Sequence, residues 1–497
     1  MAKQKVIIVG AGLSGSLLAI YLAKKGIEVD VYEARGDMRG ENVAAGRSIN
    51  LALSNRGIAA LKEIGLDKYM LAEAVPMRGR MIHSVSGETK LLAYSGRPNE
   101  FINSISRGGL NIALINEAEK SSGVRFFFNE KCAGFDCKSG EALLENTETS
   151  ETKIIKGDTL IAADGAGSAV RKAMLDGGVP RFNFSQEYLE HDYKELHIPS
   201  GENGAFQMEK NALHIWARGS FMMIALPNSG GSFTCTLFLS HAGKNSFESI
   251  LTGEYGKQFS HRFTRINADG KTDKVNNSLR DLSVSNLCSS AAKISSEAEQ
   301  SLLEFFQTNF ADAVPLMPTL TEDFFANPTG NLGTIKCFPW NVGGKSLLLG
   351  DSAHAVVPFY GQGMNASFED CRVLNQLIEQ RGADWETVFT EYGKLRKENT
   401  DAIAQMAEEN FFEMRDAVAN PVFVRKRELE TKLEQTFPDY FSKYSMVTFR
   451  EDLPYSAATR RGSAQDGLLM EICAAVENVS EIDLNEVMKK VKSIELT

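Results

Sequence analysis

Three clusters of glycine and acidic residues have the types and spacing needed to hold a dinucleotide. Gly10-Ala11-Gly12-Leu13-Ser14-Gly15 is a G-x-G-x-x-G run. In such a run the first glycine permits a tight turn, the second lets the backbone approach a pyrophosphate, and the third lets a helix pack closely on a strand. The helix start that follows attracts the diphosphate charge. Glu33, at the end of the next apolar run, is an acid suited to accept hydrogen bonds from both ribose hydroxyls. It would repel a 2′-phosphate, so the pattern favours FAD or NAD over NADP. Asp164-Gly165 and Gly350-Asp351 each follow a short apolar run and supply two further carboxylates at strand ends. Gly361-Gln362-Gly363-Met364-Asn365 then opens a segment whose apolar residues Phe368, Cys371, Leu374, Leu377 and Ile378 keep helical spacing. Free amides at such a helix start stabilise negative charge placed beside them.

The elements that must position these groups are legible in outline. Val6-Ile7-Ile8-Val9 is a β-branched run suited to a buried parallel strand, Ser14 to Lys25 reads as a helix stopped by Gly26, and Val29 to Tyr32 is the next strand. Together they form a βαβ opening. Thr159 to Ala163 and Ser346 to Leu349 read as further buried strands. Between them, Ala212 to Trp216, Phe221 to Leu226 and Phe233 to Leu239 predict antiparallel strands, and beyond about residue 390 the pattern turns helical. The expected fold is α/β: a Rossmann-like FAD-binding domain (1–75, 101–180 and 321–390), an antiparallel β-sheet substrate domain (76–100 and 181–320), and a C-terminal helical region (391–497) that completes the substrate pocket.

Composition narrows the function classes. A chain of 497 residues with 43% hydrophobic and 24% charged residues is an ordinary soluble protein of two or three domains. Its formal net charge of -10 argues against a nucleic-acid partner. The seven cysteines are scattered without a C-x-x-C pair, which speaks against a disulfide framework or a zinc site and for a reducing, cytoplasmic setting. No metal site is expected from the seven histidines, which show no H-E-x-x-H. The apolar stretch Val6 to Ala23 contains three glycines of the dinucleotide run, so it reads as strand and helix rather than a targeting segment.

The ordered set of the N-terminal glycines, Arg107-Gly108-Gly109-Leu110, Asp164-Gly165 and Gly350-Asp351 resembles the class A FAD-dependent aromatic hydroxylases. Stretches such as Gly46-Arg47-Ser48-Ile49-Asn50-Leu51-Ala52-Leu53-Ser54, Met77-Arg78-Gly79-Arg80-Met81, Pro358-Phe359-Tyr360-Gly361-Gln362-Gly363-Met364-Asn365 and Lys443-Tyr444-Ser445-Met446 are more specific, and resemble the kynurenine 3-monooxygenase family over nearly the whole chain. The resemblance implies bound FAD, NADPH as a transient co-substrate without its own Rossmann domain, and O2 activated as a flavin C4a-hydroperoxide that hydroxylates L-kynurenine to 3-hydroxy-L-kynurenine. It implies cofactor contacts at Gly10, Gly12, Gly15, Glu33, Arg107, Asp164, Asp351, Gly363, Met364 and Asn365. Arg80, Tyr94, Asn410 and Tyr444 would hold the amino-acid end of the substrate, and Leu213, Ile224, Leu226 and Phe238 its aromatic pocket. Phe359, Tyr360 and Gln362 would position the reactants without acting as acid, base or nucleophile; Tyr360 stands where other members often have Phe or His. Eukaryotic members end in a hydrophobic anchoring segment, whereas Glu481 to Thr497 is charged and amphipathic, so no membrane association is carried over. A flavin halogenase would need a W-x-W-x-I-P motif that the isolated Trp216, Trp340 and Trp385 do not form. A hydroxylase of another aromatic acid and a non-catalytic nucleotide-binding module remain as alternatives at this point.

Overall fold

The computed structural model describes residues 4–40, 50–256, 295–415 and 420–494. Residues 46–49 of the stretch ending at Ser54, and Cys288, lie outside the described residues.

The opening strand Lys5–Val9 is the pivot of a six-stranded sheet. It pairs in parallel with Glu28–Tyr32 on one side and Thr159–Ala162 on the other, and Val124–Phe127 and Ser346–Leu348 extend the sheet outward in the same sense. Val6, Ile7, Ile8, Val29 and Val31 are buried, as strands covered on both faces require. Helix Leu13–Lys24 packs on them with Leu17, Leu18 and Leu22 fully buried, each such side chain contributing roughly 1.5–3 kcal/mol relative to exposure.

A second, seven-stranded sheet runs in the order Thr329–Phe338, Asn183–Ile198, Phe233–Ser240, Met222–Pro227, Ala212–Ala217, Gly79–His83, Thr89–Ala93. All its pairings are antiparallel except that of Ala212–Ala217 with Gly79–His83. The strand Thr329–Phe338 belongs to this sheet, although the boundary at 321 had assigned it to the dinucleotide unit; its alternating Leu332, Thr334 and Lys336 carry a strand period but no marker of which sheet they join. Alternation sorts the two faces of the sheet. Ile215, Met222 and Phe238 face one apolar cluster, shared with the C-terminal helices. Trp216, Met223 and Leu237 face another, filled by Phe305 and Phe306 of helix Ser296–Asn309.

The boundary expected near 390 does not exist as a break in the chain. Trp385–Arg415 is one helix of 31 residues. Its first half packs Tyr392 against Trp340 at a ring separation of 5.7 Å, and its second half carries Asn410 and Met414. Helices Pro421–Thr436, Lys443–Phe449, Tyr455–Ala474 and Leu484–Ile494 follow. Among the described residues no helix is long and apolar enough to cross a membrane.

Candidate functional site

A cavity of about 480 Å³ lies between the glycine turn after the first strand and the seven-stranded sheet. Gly12, Leu13 and Ser14 line its nucleotide end. Gly10 has φ 99°, and a Cβ there would sit 2.3 Å from the Ala163 carbonyl oxygen; one on Gly15 would sit 2.0 Å from the Gly10 carbonyl oxygen. These two glycines are thus required by packing and do not themselves line the cavity. Around Gly12 a Cβ would meet nothing within 4 Å, and no side chain caps the helix it opens. That leaves open space in front of uncapped amides, the arrangement a pyrophosphate fits.

Glu33 stands beside this turn and accepts from the Ala11 amide at 2.8 Å and from Arg35 Nε at 2.8 Å. Burial works against its charge, but the Arg35 guanidinium and the amides of Arg35 and Ala11 hold its carboxyl below the usual range. Arg107, first residue of helix Arg107–Glu119, and Asp351 flank the next part of the cavity. Confinement raises the Asp351 carboxyl above its ordinary value, with His354 and Arg107 opposing.

The other acid of this group behaves differently from expectation. Asp164 does not line the cavity: one carboxylate oxygen accepts from Ser352 Oγ at 3.0 Å and the other from the Ala169 amide at 2.9 Å. Arg171 reinforces the joint through the Ser352 carbonyl at 2.8 Å. The D-G and G-D turns are therefore stitched to each other, and Asp164 shapes the cradle rather than facing into it. Gly350, at φ 61°, lies so close to Ser14 that a Cβ would come within 3.2 Å of its hydroxyl oxygen, which joins the third motif to the first.

Helix Gly363–Arg381 points its start at the cavity, with Gly363 and Met364 on the wall and no side-chain cap. Two residues of this motif turn away. Asn365 is fully buried and donates to the Ala52 and Gly361 carbonyls at 2.8 and 2.9 Å while accepting from the Ser54 amide at 3.0 Å. Gln362 accepts from Tyr455 Oη at 3.0 Å. Together they fasten the end of strand Asn50–Leu53, Ser54 and the C-terminal helices to the helix start; neither side chain reaches the cavity. Below them Asp370 binds His354 at 2.6 Å and Arg396 at 2.6 Å, an ion cluster that locks helix Trp385–Arg415 onto this helix. Arg56 joins the cluster through Glu369 and grips the carbonyl of Val447 at 2.9 Å.

The far end of the cavity is apolar, then polar. Leu213, Ile224, Leu226 and Phe238 form its sheet wall, and Phe359 and Tyr360 close it from the loop. Phe359 packs on Phe238 at 4.8 Å and on Phe411 at 4.5 Å. Beyond them Tyr94 and Tyr444 stack at 4.9 Å, and Tyr360 stacks on Tyr444 at 5.6 Å. Arg80 lies over this tyrosine pair, 8% exposed, with NH1 3.1 Å from Glu413. Burial opposes its charge, but Glu413, Tyr444 and Tyr94 together outweigh that and raise its pKa. Burial raises the pKa of all three tyrosines, so each remains a neutral hydroxyl. The Tyr94 hydroxyl is buried beside Arg80 and Tyr444, so the three polar groups stand together at this end of the cavity.

Asn410 is not on this wall. Its amide donates to the Phe359 carbonyl at 2.6 Å and its oxygen accepts from Arg80 at 3.4 Å. It borders a separate polar chamber of about 80 Å³ behind Arg80, Tyr360 and Tyr444, with Glu413, Lys426 and Asp466. Sequence reasoning did not single out Glu413, although it sits one turn after Asn410 on the same helix face. Thr236 and Asn331, polar residues on the cavity wall, were also missed; in a strand pattern they read as solvent-facing positions.

Comparison with known proteins agrees with this construction. The family described as "FAD binding domain" matches residues 3–186. A kynurenine 3-monooxygenase of Myxococcus xanthus is 44% identical over 99% of this chain and 95% of its own length. Its counterpart in Dictyostelium discoideum is 40% identical over 97% and 96%. Among solved structures, 2-methyl-3-hydroxypyridine-5-carboxylic acid oxygenase superposes with TM-score 0.60 at 17% identity, covering 94% of this chain and 98% of that one. The p-nitrophenol 4-monooxygenase of Pseudomonas putida gives 0.59 at 14%, covering 95% and 97%. These two show the shared aromatic-hydroxylase fold, while the full-length sequence matches are what narrow the assignment: the chain belongs to the kynurenine 3-monooxygenase family.

Proposed function

We propose that the chain hydroxylates L-kynurenine at the ring carbon ortho to the amine, giving 3-hydroxy-L-kynurenine, with NADPH and O2 consumed. One observation carries the reading: a single cavity joins an uncapped dinucleotide turn and helix start to an arginine–tyrosine cage, with an apolar section between. Bound FAD, reduced by NADPH, supplies from O2 an electrophilic oxygen that attacks an electron-rich ring.

The chain's own residues supply place and dryness. Gly12 and the amides after it would receive the pyrophosphate, Glu33 the adenosine ribose, and Arg107 and Asp351 the linking chain. The uncapped start of helix Gly363–Arg381, which opens on the cavity, would stabilise negative charge on the cofactor placed beside it. At the cage, Arg80 offers its remaining N–H groups to the substrate carboxylate, and the hydroxyls of Tyr94 and Tyr444 complete the contacts. Asn410 holds Arg80 and the Phe359 backbone in one geometry, so it acts through them. Leu213, Ile224, Leu226, Phe238 and Phe359 exclude water from the ring.

The test is isotopic. FAD-loaded protein given NADPH and L-kynurenine under 18O2 should release 3-hydroxykynurenine carrying one 18O atom. Unlabelled product, or none at all, contradicts the reading.

A further inference from the structure

On the face of the seven-stranded sheet turned away from the cavity lies a chain of polar groups that the reaction does not use, two buried imidazoles ending at the partly exposed Asp312. Asp312 Oδ2 is 2.7 Å from His83 Nδ1, His83 Nε2 is 2.8 Å from His214 Nδ1, and His214 Nε2 is 2.8 Å from the Glu209 carbonyl oxygen. His83 and His214 are 6% and 2% exposed.

Both ends of this chain are acceptors, a carboxyl and a backbone carbonyl. Three hydrogen bonds need three protons, and two neutral imidazoles carry only one N–H each. Without a further proton, two acceptors face each other across a buried gap, which is costly. The extra proton resides on Asp312 or on an imidazole. Trp216 Nε1 donates to both Asp312 oxygens, at 3.0 and 2.9 Å, which suits a carboxylate. Burial disfavours that charge, yet the bonds from His83 and Trp216 hold the carboxyl below its usual range. Burial pushes His214 down to about 4, which makes it the neutral member, donating from Nε2 to Glu209 and accepting at Nδ1. His83 is left with an N–H on each nitrogen.

Among the described residues, the charged groups facing the chain are Asp312, the Glu209 side chain near His214, and Arg218, whose Nη1 donates to the His83 carbonyl at 2.9 Å. His83 also stacks on Trp216 at 4.1 Å. The strands joined here are the parallel pair of the sheet, in register Arg80↔Leu213 and Met81↔His214. Arg80 and Leu213 line the cavity on the opposite face.

We propose that His83 is held as an imidazolium paired with the Asp312 carboxylate, and that this Asp312–His83–His214 chain is a positioning device that fastens the strand carrying Arg80 to the strand carrying Leu213. Only its effect on substrate rests on the kynurenine reading; the proton assignment does not.

The experiment uses FAD-loaded protein with 15N-labelled histidine, without substrate, at pH 7. NMR should show both His83 nitrogens protonated and His214 protonated at Nε2 alone. A His83 with a single N–H overturns the proposal, and this arm needs no variant. In Asp312→Asn the carboxamide supplies the third proton without charge, so His83 should become neutral at pH 7; a persistent imidazolium there also overturns it. For the positioning role, the KM for L-kynurenine of the wild type should rise several-fold as pH passes through the His83 titration seen by NMR, with kcat changing less. The Asp312→Asn profile should lack that step. Identical KM profiles in the two proteins overturn the positioning role. Absence of any kynurenine hydroxylation would instead defeat the proposed function and leave the NMR result to decide the proton assignment.

Discussion

Arg80 is the residue on which substrate handling turns. It is buried, already pairs with the Glu413 carboxylate, and lies over two stacked tyrosines. Arg80→Met should leave FAD binding intact and lower kcat/KM for L-kynurenine by roughly 30- to 1000-fold, equivalent to about 2–4 kcal/mol for a lost buried charge partner. Arg80→Lys should recover little, because an ammonium cannot reproduce the planar fork. Steady-state kinetics with flavin content measured in parallel checks this, and unchanged kinetics would make Arg80 a structural cation. Asp370 belongs to a different kind of residue, one that holds elements together. Burial alone would raise its pKa, but His354 and Arg396 lower it to about 2 from the ordinary 3.8. A depressed carboxyl stabilises the fold fully above its unfolded pKa and loses that contribution as pH falls through the folded one. The melting temperature should therefore drop between about pH 4 and pH 2 in part through this group. Asp370→Asn should melt lower at neutral pH, where Arg396 loses a partner, and show a shallower decline across that acid range. A parallel decline in the two proteins would show that Asp370 is not a source of acid sensitivity.

Element by element, the sequence was informative where a local rule applied and silent where a partner decides. The βαβ opening was legible because β-branched residues, three glycines and Gly26 each obey short-range rules, and the observed strands and helix lie within a residue or two of expectation. The antiparallel strands Ala212–Ala217, Met222–Pro227 and Phe233–Ser240 were legible from alternation. The sheet joined by Thr329–Phe338 was not, because pairing partners are set by tertiary packing. Nor did any break appear near 390, where the helix runs on through Gly393, a residue buried inside it rather than a stop. That continuity changes what truncation should do. A chain ended near 384 loses the whole helix Trp385–Arg415, uncovers Trp340 and the covered face of helix Gly363–Arg381, and takes Arg396 from Asp370 and Glu369. Apolar surface exposed in this way lowers solubility. Such a truncation is expected to yield no soluble yellow protein, whereas independent folding of the dinucleotide part would give a soluble product with flavin absorbance.

Across the whole molecule, the site was legible as a set of residue types but not as a geometry. The cavity brings together Gly12, Arg107, Asp351, Gly363, Met364, Arg80, Tyr94 and Tyr444, which lie far apart in sequence. Asp164, Gln362, Asn365 and Asn410 share the same motifs yet bond to protein instead, since a motif records which residues are needed and not which way each side chain turns. Arg80 keeps its charge inside the molecule, which suits a small substrate that carries a carboxylate. The central claim is that one cavity couples the flavin end to an amino-acid cage. Its most direct measurement is NADPH oxidation by the FAD-loaded protein in air, with and without L-kynurenine, scored as 3-hydroxykynurenine and hydrogen peroxide formed per NADPH. L-kynurenine should accelerate oxidation, and most NADPH consumed should appear as hydroxylated product. Oxidation indifferent to L-kynurenine, with the NADPH consumed appearing only as peroxide, would contradict it.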